Sequence, residues 1–237
     1  MTAAERGPAS IARDRARVTG YTLALNYIPL TQLLLGAAFV AWRAQSLRSV
    51  LLWSAAWLYL VPPVVTRVTL LLLGRPEGRG LTQDARAYKV WWFTHQWQVV
   101  FNRLPWLEEL LRLVPGLYAL WIRAWGGRVS PWAYWGPGSL VVDRYLIVVE
   151  AGAVIGMGAG LTGHIGYLSA DGTFLVDVAA PRVGRGAMMG ARSGLGPGAE
   201  LAPQQVLPAG RMMPPFVRWD GTAVRAIGET AAGGVVA

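Results

Sequence analysis

Few side chains in this 237-residue chain are suited to bond-making chemistry, and each can be named. There are two histidines, His95 and His164, and no cysteine. An imidazole takes up and returns a proton near neutrality, so a histidine beside a carboxylate is a candidate acid–base pair. The absence of Cys excludes disulfides, thiolate zinc sites and a cysteine nucleophile. Ser193 lacks the glycine two places upstream that a nucleophile elbow needs. Gly158-Ala-Gly160-Leu-Thr-Gly163 fits GxGxxG, but it follows no parallel strand–helix unit. His95, in WWFTHQW, reads as an interfacial aromatic-belt residue. That leaves His164, with Asp143, Asp171 and Asp177 as carboxylates that could hold its tautomer. Which of them reaches it depends on the elements that carry them.

Those elements follow from a period. After Gly127 an apolar residue recurs at every sixth position: Val129, Trp135, Val141; Val149, Ile155, Leu161; Val183, Met189, Leu195; Leu201, Leu207. A small residue or turn former follows most of them, as at Ser130, Gly136, Gly156, Gly184, Gly190, Gly196, Ala202 and Pro208. Six residues exceed a helical turn and do not make a heptad. They suit a solenoid in which each hexapeptide forms one flat face and one corner, three faces to a coil. The step lengthens twice, to 8 between Val141 and Val149 and to 22 between Leu161 and Val183. Both slips fall at the corner from face three to face one. Asp143 and Arg144 lie at that corner, and His164 lies one coil further along at the same place. The register therefore pairs Asp143 with His164; the alternative is a loop histidine beside a local Asp143–Arg144 salt bridge.

Here the chain resembles the hexapeptide-repeat (left-handed β-helix) acyltransferases. The matching segments are VEAGAVIGMGAG (149–160) and VGRGAMMGARSGLGPGAELAPQQVLPAG (183–210). RWDGTAVRAIGE (218–229) is similar to the family's Gly-Asn-Pro-Ala tail, though Gly-Thr-Ala stands where Gly-Asn-Pro-Ala is usual. Asp-Gly-Thr-Phe (171–174) after a His also resembles the membrane-linked transferase domains of some peptide-synthetase-like proteins. The resemblance implies the left hand, a trimer with sites between subunits, and a histidine general base, here His164. It implies an acyl-CoA or acyl-carrier-protein co-substrate rather than a tightly bound cofactor. Arg218, Arg225, Gly190 and Gly196 are the candidate contacts to coenzyme A. The related β-helix carbonic anhydrases use a three-His metal site, which two histidines cannot supply, so no metal is expected.

The N-terminal half is of different material. The chain is 54% hydrophobic and 15% charged, with a mean hydropathy of +0.36. All 12 Trp except Trp219 precede residue 136. Residues 21–42 carry no charge and reach roughly 33 Å as a helix, enough to cross a ~30 Å hydrocarbon core. Residues 49–73 form a second span, kinked at Pro62-Pro63 and carrying Arg67, which can snorkel outward. Residues 88–125 read as amphipathic interfacial helices whose stripe includes Leu107, Leu110, Val114, Leu117, Tyr118, Trp121 and Trp125. The other reading packs them on the spans or on the C-terminal domain. No signal-peptide cleavage site follows the first apolar run.

The net charge of +9 comes almost wholly from Arg, Lys89 being the only lysine. The arginines cluster beside the apolar segments and no nucleic-acid motif is present, so a membrane lipid rather than nucleic acid is the expected partner. Arg6, Arg13, Arg15 and Arg17 before the first span, and Arg75, Arg79 and Arg86 after the second, place both ends in the cytoplasm. The expected fold is α + β. A basic terminus (1–20) precedes a transmembrane helical hairpin (21–75) and interfacial helices (81–126). A parallel β-helix (127–215, insertion 162–182) and a tail (216–237) follow. The expected function is a multi-pass inner-membrane acyltransferase with a hydroxyl or amine acceptor on a lipid-linked or hydrophobic molecule. The alternative is a non-catalytic trimeric scaffold that organises membrane partners.

Overall fold

The computed structural model describes residues 19–227, so the basic terminus and the end of the tail lie outside the described residues. The first apolar run forms two helices, α1 (Gly20–Leu25) and α2 (Ile28–Arg43). Pro29 in the first turn of α2 has no N–H to give to the preceding turn, so the chain restarts its helix there. The second run, α3 (Leu47–Leu73), opens on a Ser46–Ser49 capping box and continues unbroken through Pro62 and Pro63, both buried. The two runs are long and apolar enough to cross a membrane. They meet where Gly36 admits the Trp57 indole, whose Nε1 donates to the Gln32 carbonyl at 3.0 Å; a Cβ on Gly36 would lie 2.6 Å from that ring.

A short strand β1 (Gly78–Leu81) leads to four helices: α4 (Arg86–Gln96), α5 (Val99–Arg103), α6 (Trp106–Arg112) and α7 (Leu117–Trp125). Their apolar stripe divides. Leu107, Tyr118, Trp121 and Trp125 are buried inside the protein, while Leu110, Val114 and Leu117 stay exposed. The interfacial reading is therefore amended: one face of these helices joins the second span to the C-terminal domain. Trp121 Nε1 donates to the Tyr59 carbonyl at 2.9 Å, and Tyr59 Oη donates to the Leu107 carbonyl at 2.8 Å.

The hexapeptide arithmetic then closes into a prism. The first coil holds β2 (Arg128–Val129), β3 (Tyr134–Trp135) and β4 (Leu140–Val141). The second holds β5 (Val148–Val149), β6 (Val154–Ile155) and β7 (Gly160–Leu161). The insertion is a hairpin, β8 (His164–Leu168) and β9 (Phe174–Val178), and β1 adds to it antiparallel on β9. The third coil holds β10 (Arg182–Val183), β11 (Met188–Met189) and β12 (Gly194–Leu195). The fourth holds β13 (Glu200–Leu201), β14 (Val206–Leu207) and β15 (Met212–Met213). Strand β16 (Val217–Trp219) opens a fifth coil inside the segment read as tail, and β17 (Val224–Ala226) folds back on it antiparallel.

Strands stack in parallel, in register, on three faces. Val129, Val149, Val183, Leu201 and Trp219 share the first; Trp135, Ile155, Met189 and Leu207 the second; Val141, Leu161, Leu195 and Met213 the third. All except Trp135 are buried, each contributing about 1.5–3 kcal/mol of apolar burial before the entropy of ordering. Where glycine follows, as at Gly136, Gly156, Gly184 and Gly190, the next coil leaves no room for a side chain: a Cβ on Gly190 would sit 2.4 Å from the Ala209 nitrogen.

Candidate active site

The two extra residues at the first long corner push Asp143 and Arg144 inward, and both become fully buried. They part company there. The Arg144 backbone N–H donates to Gln98 Oε1 at 2.7 Å, and its guanidinium donates to Asn102 Oδ1 at 2.8 Å. Its Nε donates to Glu108 Oε1 at 2.7 Å and its Nη2 reaches the same oxygen. The rings of Phe101, Trp121 and Trp125 surround it. Arg144 thus ties the corner to α5–α7, and an Asp143–Arg144 salt bridge is not formed.

Asp143 points the other way. One carboxylate oxygen, Oδ2, accepts from the Gly163 N–H at 3.1 Å and from His164 Nδ1 at 2.6 Å. His164 is the first residue of β8, held there by antiparallel pairing with Val178. The register expectation that joined Asp143 to His164 across one coil matches this geometry. Burial alone would raise the Asp143 pKa. The charge and hydrogen bond of His164, with the His95 imidazole close by, outweigh it and hold the carboxyl far below the usual carboxylate range. An ionised carboxylate can only accept, so Nδ1 of His164 carries the proton and Nε2 keeps its lone pair. For His164 burial lowers the pKa, while the charge and hydrogen bond of Asp143 raise it above its ordinary value.

A second histidine, which sequence reasoning assigned to an aromatic belt, faces the same carboxylate. His95 Nδ1 lies 3.6 Å from Asp143 Oδ1, and neither buried atom has a hydrogen-bond partner. The two imidazoles meet edge to face at 5.0 Å, and Trp91 packs against His164 at 4.8 Å. The signal that could have found His95 is the helical spacing that puts Trp91 and His95 on one face of α4. Its 48-residue separation from Asp143 leaves no periodicity to follow. Asp177 and Asp171 are engaged elsewhere. Asp177 accepts from the Gly80 N–H at 2.6 Å and fastens β1 to the hairpin, and Asp171 accepts within its own turn from Ser169 and Thr173.

The ligand atoms of His95, Asp143 and His164 all lie within 4.8 Å of one another, a donor set that suits a divalent cation. The expectation of no metal considered three histidines only; here a carboxylate completes the set. The proposed coenzyme A contacts are not gathered at this corner. Arg218 lies on β16 beside Glu200 of β13, and Arg225 pairs with Asp220 at 2.8 Å. Gly190 and Gly196 sit at corners where a Cβ would press on the following coil.

No family model and no curated protein matches the sequence. Among solved structures, a hexapeptide-repeat-containing acetyltransferase from Vibrio cholerae is 10% identical, with a TM-score of 0.32, over 51% of this chain and 85% of that one. An N-acyltransferase from Bacillus cereus, solved with dTDP and coenzyme A, is 11% identical, TM-score 0.21, over 43% of this chain and 69% of that one. Serine acetyltransferase from Neisseria gonorrhoeae is 16% identical, TM-score 0.21, over 95% of this chain and 86% of that one.

Proposed function

We propose that this chain is a membrane-associated acyltransferase. It would move an acyl group from a thioester, acyl-coenzyme A or an acyl carrier protein, to a hydroxyl or amine of a lipid-linked or hydrophobic acceptor. The observation that carries the reading is the 2.6 Å hydrogen bond from His164 Nδ1 to a fully buried carboxylate. It fixes the tautomer that leaves Nε2 basic, at the corner of a hexapeptide prism that admits the long insertion.

In this reaction Nε2 takes the proton of the acceptor O–H or N–H as that atom attacks the thioester carbonyl. The tetrahedral intermediate collapses by breaking the C–S bond, and the imidazolium returns its proton to the leaving sulfur. Asp143, ionised throughout, stabilises the transient imidazolium and holds the ring. His95 adds a second imidazole edge to Asp143 Oδ1. Arg218 and Arg225 are proposed to meet the phosphates of coenzyme A. Two apolar helices support a membrane location, the arginines that flank them favour a cytoplasmic prism, and assembly as a homotrimer is proposed to cover the exposed β surface of the prism.

The test is release of free thiol from acyl-coenzyme A by the purified full chain, with lipid-linked alcohols and amines as acceptors. Acceptor-dependent release that survives chelation by EDTA supports base catalysis. Loss of release on chelation, restored by zinc, moves the reading to a metal held by His95, Asp143 and His164. No release with any acceptor favours the scaffold.

A further inference from the structure

Away from the His164 corner, four arginines converge on a cavity of about 630 Å³ where the second span meets the first coil. Arg67 comes from α3, Arg75 from just past its end, Arg123 from α7 and Arg128 from β2; the one carboxylate in the lining is Glu150. Like charges gathered in one cavity repel, and each needs a reason to be there. Two of the four have a structural one. Arg75 Nη2 donates to the carbonyls of Gly126 at 2.6 Å and Tyr145 at 2.5 Å, and Arg123 Nε donates to the Val129 carbonyl at 2.6 Å. The other two have none: among the described residues neither the Arg67 nor the Arg128 guanidinium makes a hydrogen bond, an ion pair or a ring contact, and of Arg128 the backbone alone is engaged, its N–H donating to the Ile147 carbonyl at 2.9 Å. Arg67 nevertheless turns into the cavity, for its Nη1 would lie 3.0 Å from a Cβ placed on Gly126. Glu150 brings one negative charge against four positive ones and forms an ion pair with none of them, its Oε2 accepting instead from the Arg185 N–H on the following coil.

We propose that this cavity binds the phosphate of a membrane lipid. A planar guanidinium fork matches phosphate oxygens, and two unpaired forks beside two fixed ones form a site that an anion completes. The lipid source follows from place. Arg67 lies six residues before the end of a helix long enough to cross a bilayer, about 9 Å along its axis. A long side chain at that depth reaches up to the level where headgroup phosphates lie. An expectation that Arg67 merely snorkels is thereby given a destination. The site is separate from the acyl-transfer reading and stands without it.

The experiment is native mass spectrometry of the full chain in detergent, titrated with phosphatidic acid, with diacylglycerol lacking the phosphate, and with inorganic phosphate. The wild type should retain phosphatidic acid and lose diacylglycerol, and inorganic phosphate should compete only weakly. Arg67→Gln/Arg128→Gln should weaken phosphatidic acid binding roughly tenfold or more, and Arg67→Lys/Arg128→Lys should recover part of it. Single Arg128→Gln serves if the double variant fails to fold, since the Arg128 side chain makes no described hydrogen bond, ion pair or ring contact. His164→Gln should bind lipid as the wild type does. Equal retention of phosphatidic acid by the wild type and the Arg→Gln variants would overturn the site. Equal retention of diacylglycerol would overturn phosphate recognition, and inorganic phosphate binding as tightly as the lipid would overturn the lipid source.

Discussion

Replacing Asp143 by Asn keeps the shape of the corner and removes its charge. In the structure this carboxylate is fully buried and accepts a 2.6 Å bond from His164 Nδ1. A hydrogen bond to a charged group is worth about 1.5–3 kcal/mol, so the plateau of kcat/KM should fall roughly 10- to 150-fold. The pH profile should move as well. His164 must be neutral to act as a base, so the rate rises with pH through its pKa and then levels. Asp143 raises that pKa against the lowering effect of burial. In Asp143→Asn the burial effect remains alone, and the acid limb should shift to lower pH. Because the chain contains no cysteine, a thiol-reactive dye reads only released coenzyme A. A profile that overlays the wild type in height and position would refute the claim that Asp143 holds His164. The same pair bears on stability. The depressed Asp143 contributes above its unfolded pKa of about 3.9 and loses that contribution as pH falls through its folded value. The raised His164 contributes fully below about 6.5 and loses it as pH rises through its folded pKa.

Glu108→Gln should destabilise the fold by about 3–5 kcal/mol, read as a lower Tm in detergent, because it leaves the buried Arg144 guanidinium uncompensated; an unchanged Tm would contradict the anchoring role given to that pair. Reporter fusions after Arg17 and after Gly80 should both read cytoplasmic, and opposite readouts would remove the hairpin topology. Mass photometry in nanodiscs should give three chains, and a fully active monomer would rule out a site completed between subunits.

The prism was legible because a solenoid repeats one requirement. An inward apolar residue at every sixth position, mostly with a small residue or turn former beside it, is what a coil of flat faces and tight corners needs, and the two lengthened steps locate the corner that carries the site. The same rule extends to Met213 and Trp219, six residues apart, but the repeat as read from the sequence stops at Leu207 and the β-helix at residue 215, which leaves Trp219 in the tail. The His164–Asp143 pair followed from register alone. His95, Gln98, Asn102 and Glu108 did not, since they reach the corner through helix packing, and packing across 36 to 48 residues leaves no spacing signature. The break in the first span was missed for a local reason: hydropathy counts Pro29 among apolar neighbours and ignores its missing N–H.

The most direct measurement of the central claim is acyl transfer by His164→Ala. With Cys absent and Ser193 outside any nucleophile elbow, direct attack assisted by the His164 imidazole is the route assigned to this chain. The variant should fold and assemble as the wild type does, while acceptor-dependent release of coenzyme A slows by about 10²–10⁴-fold, the range for a general base. Wild-type turnover by folded His164→Ala would contradict the account.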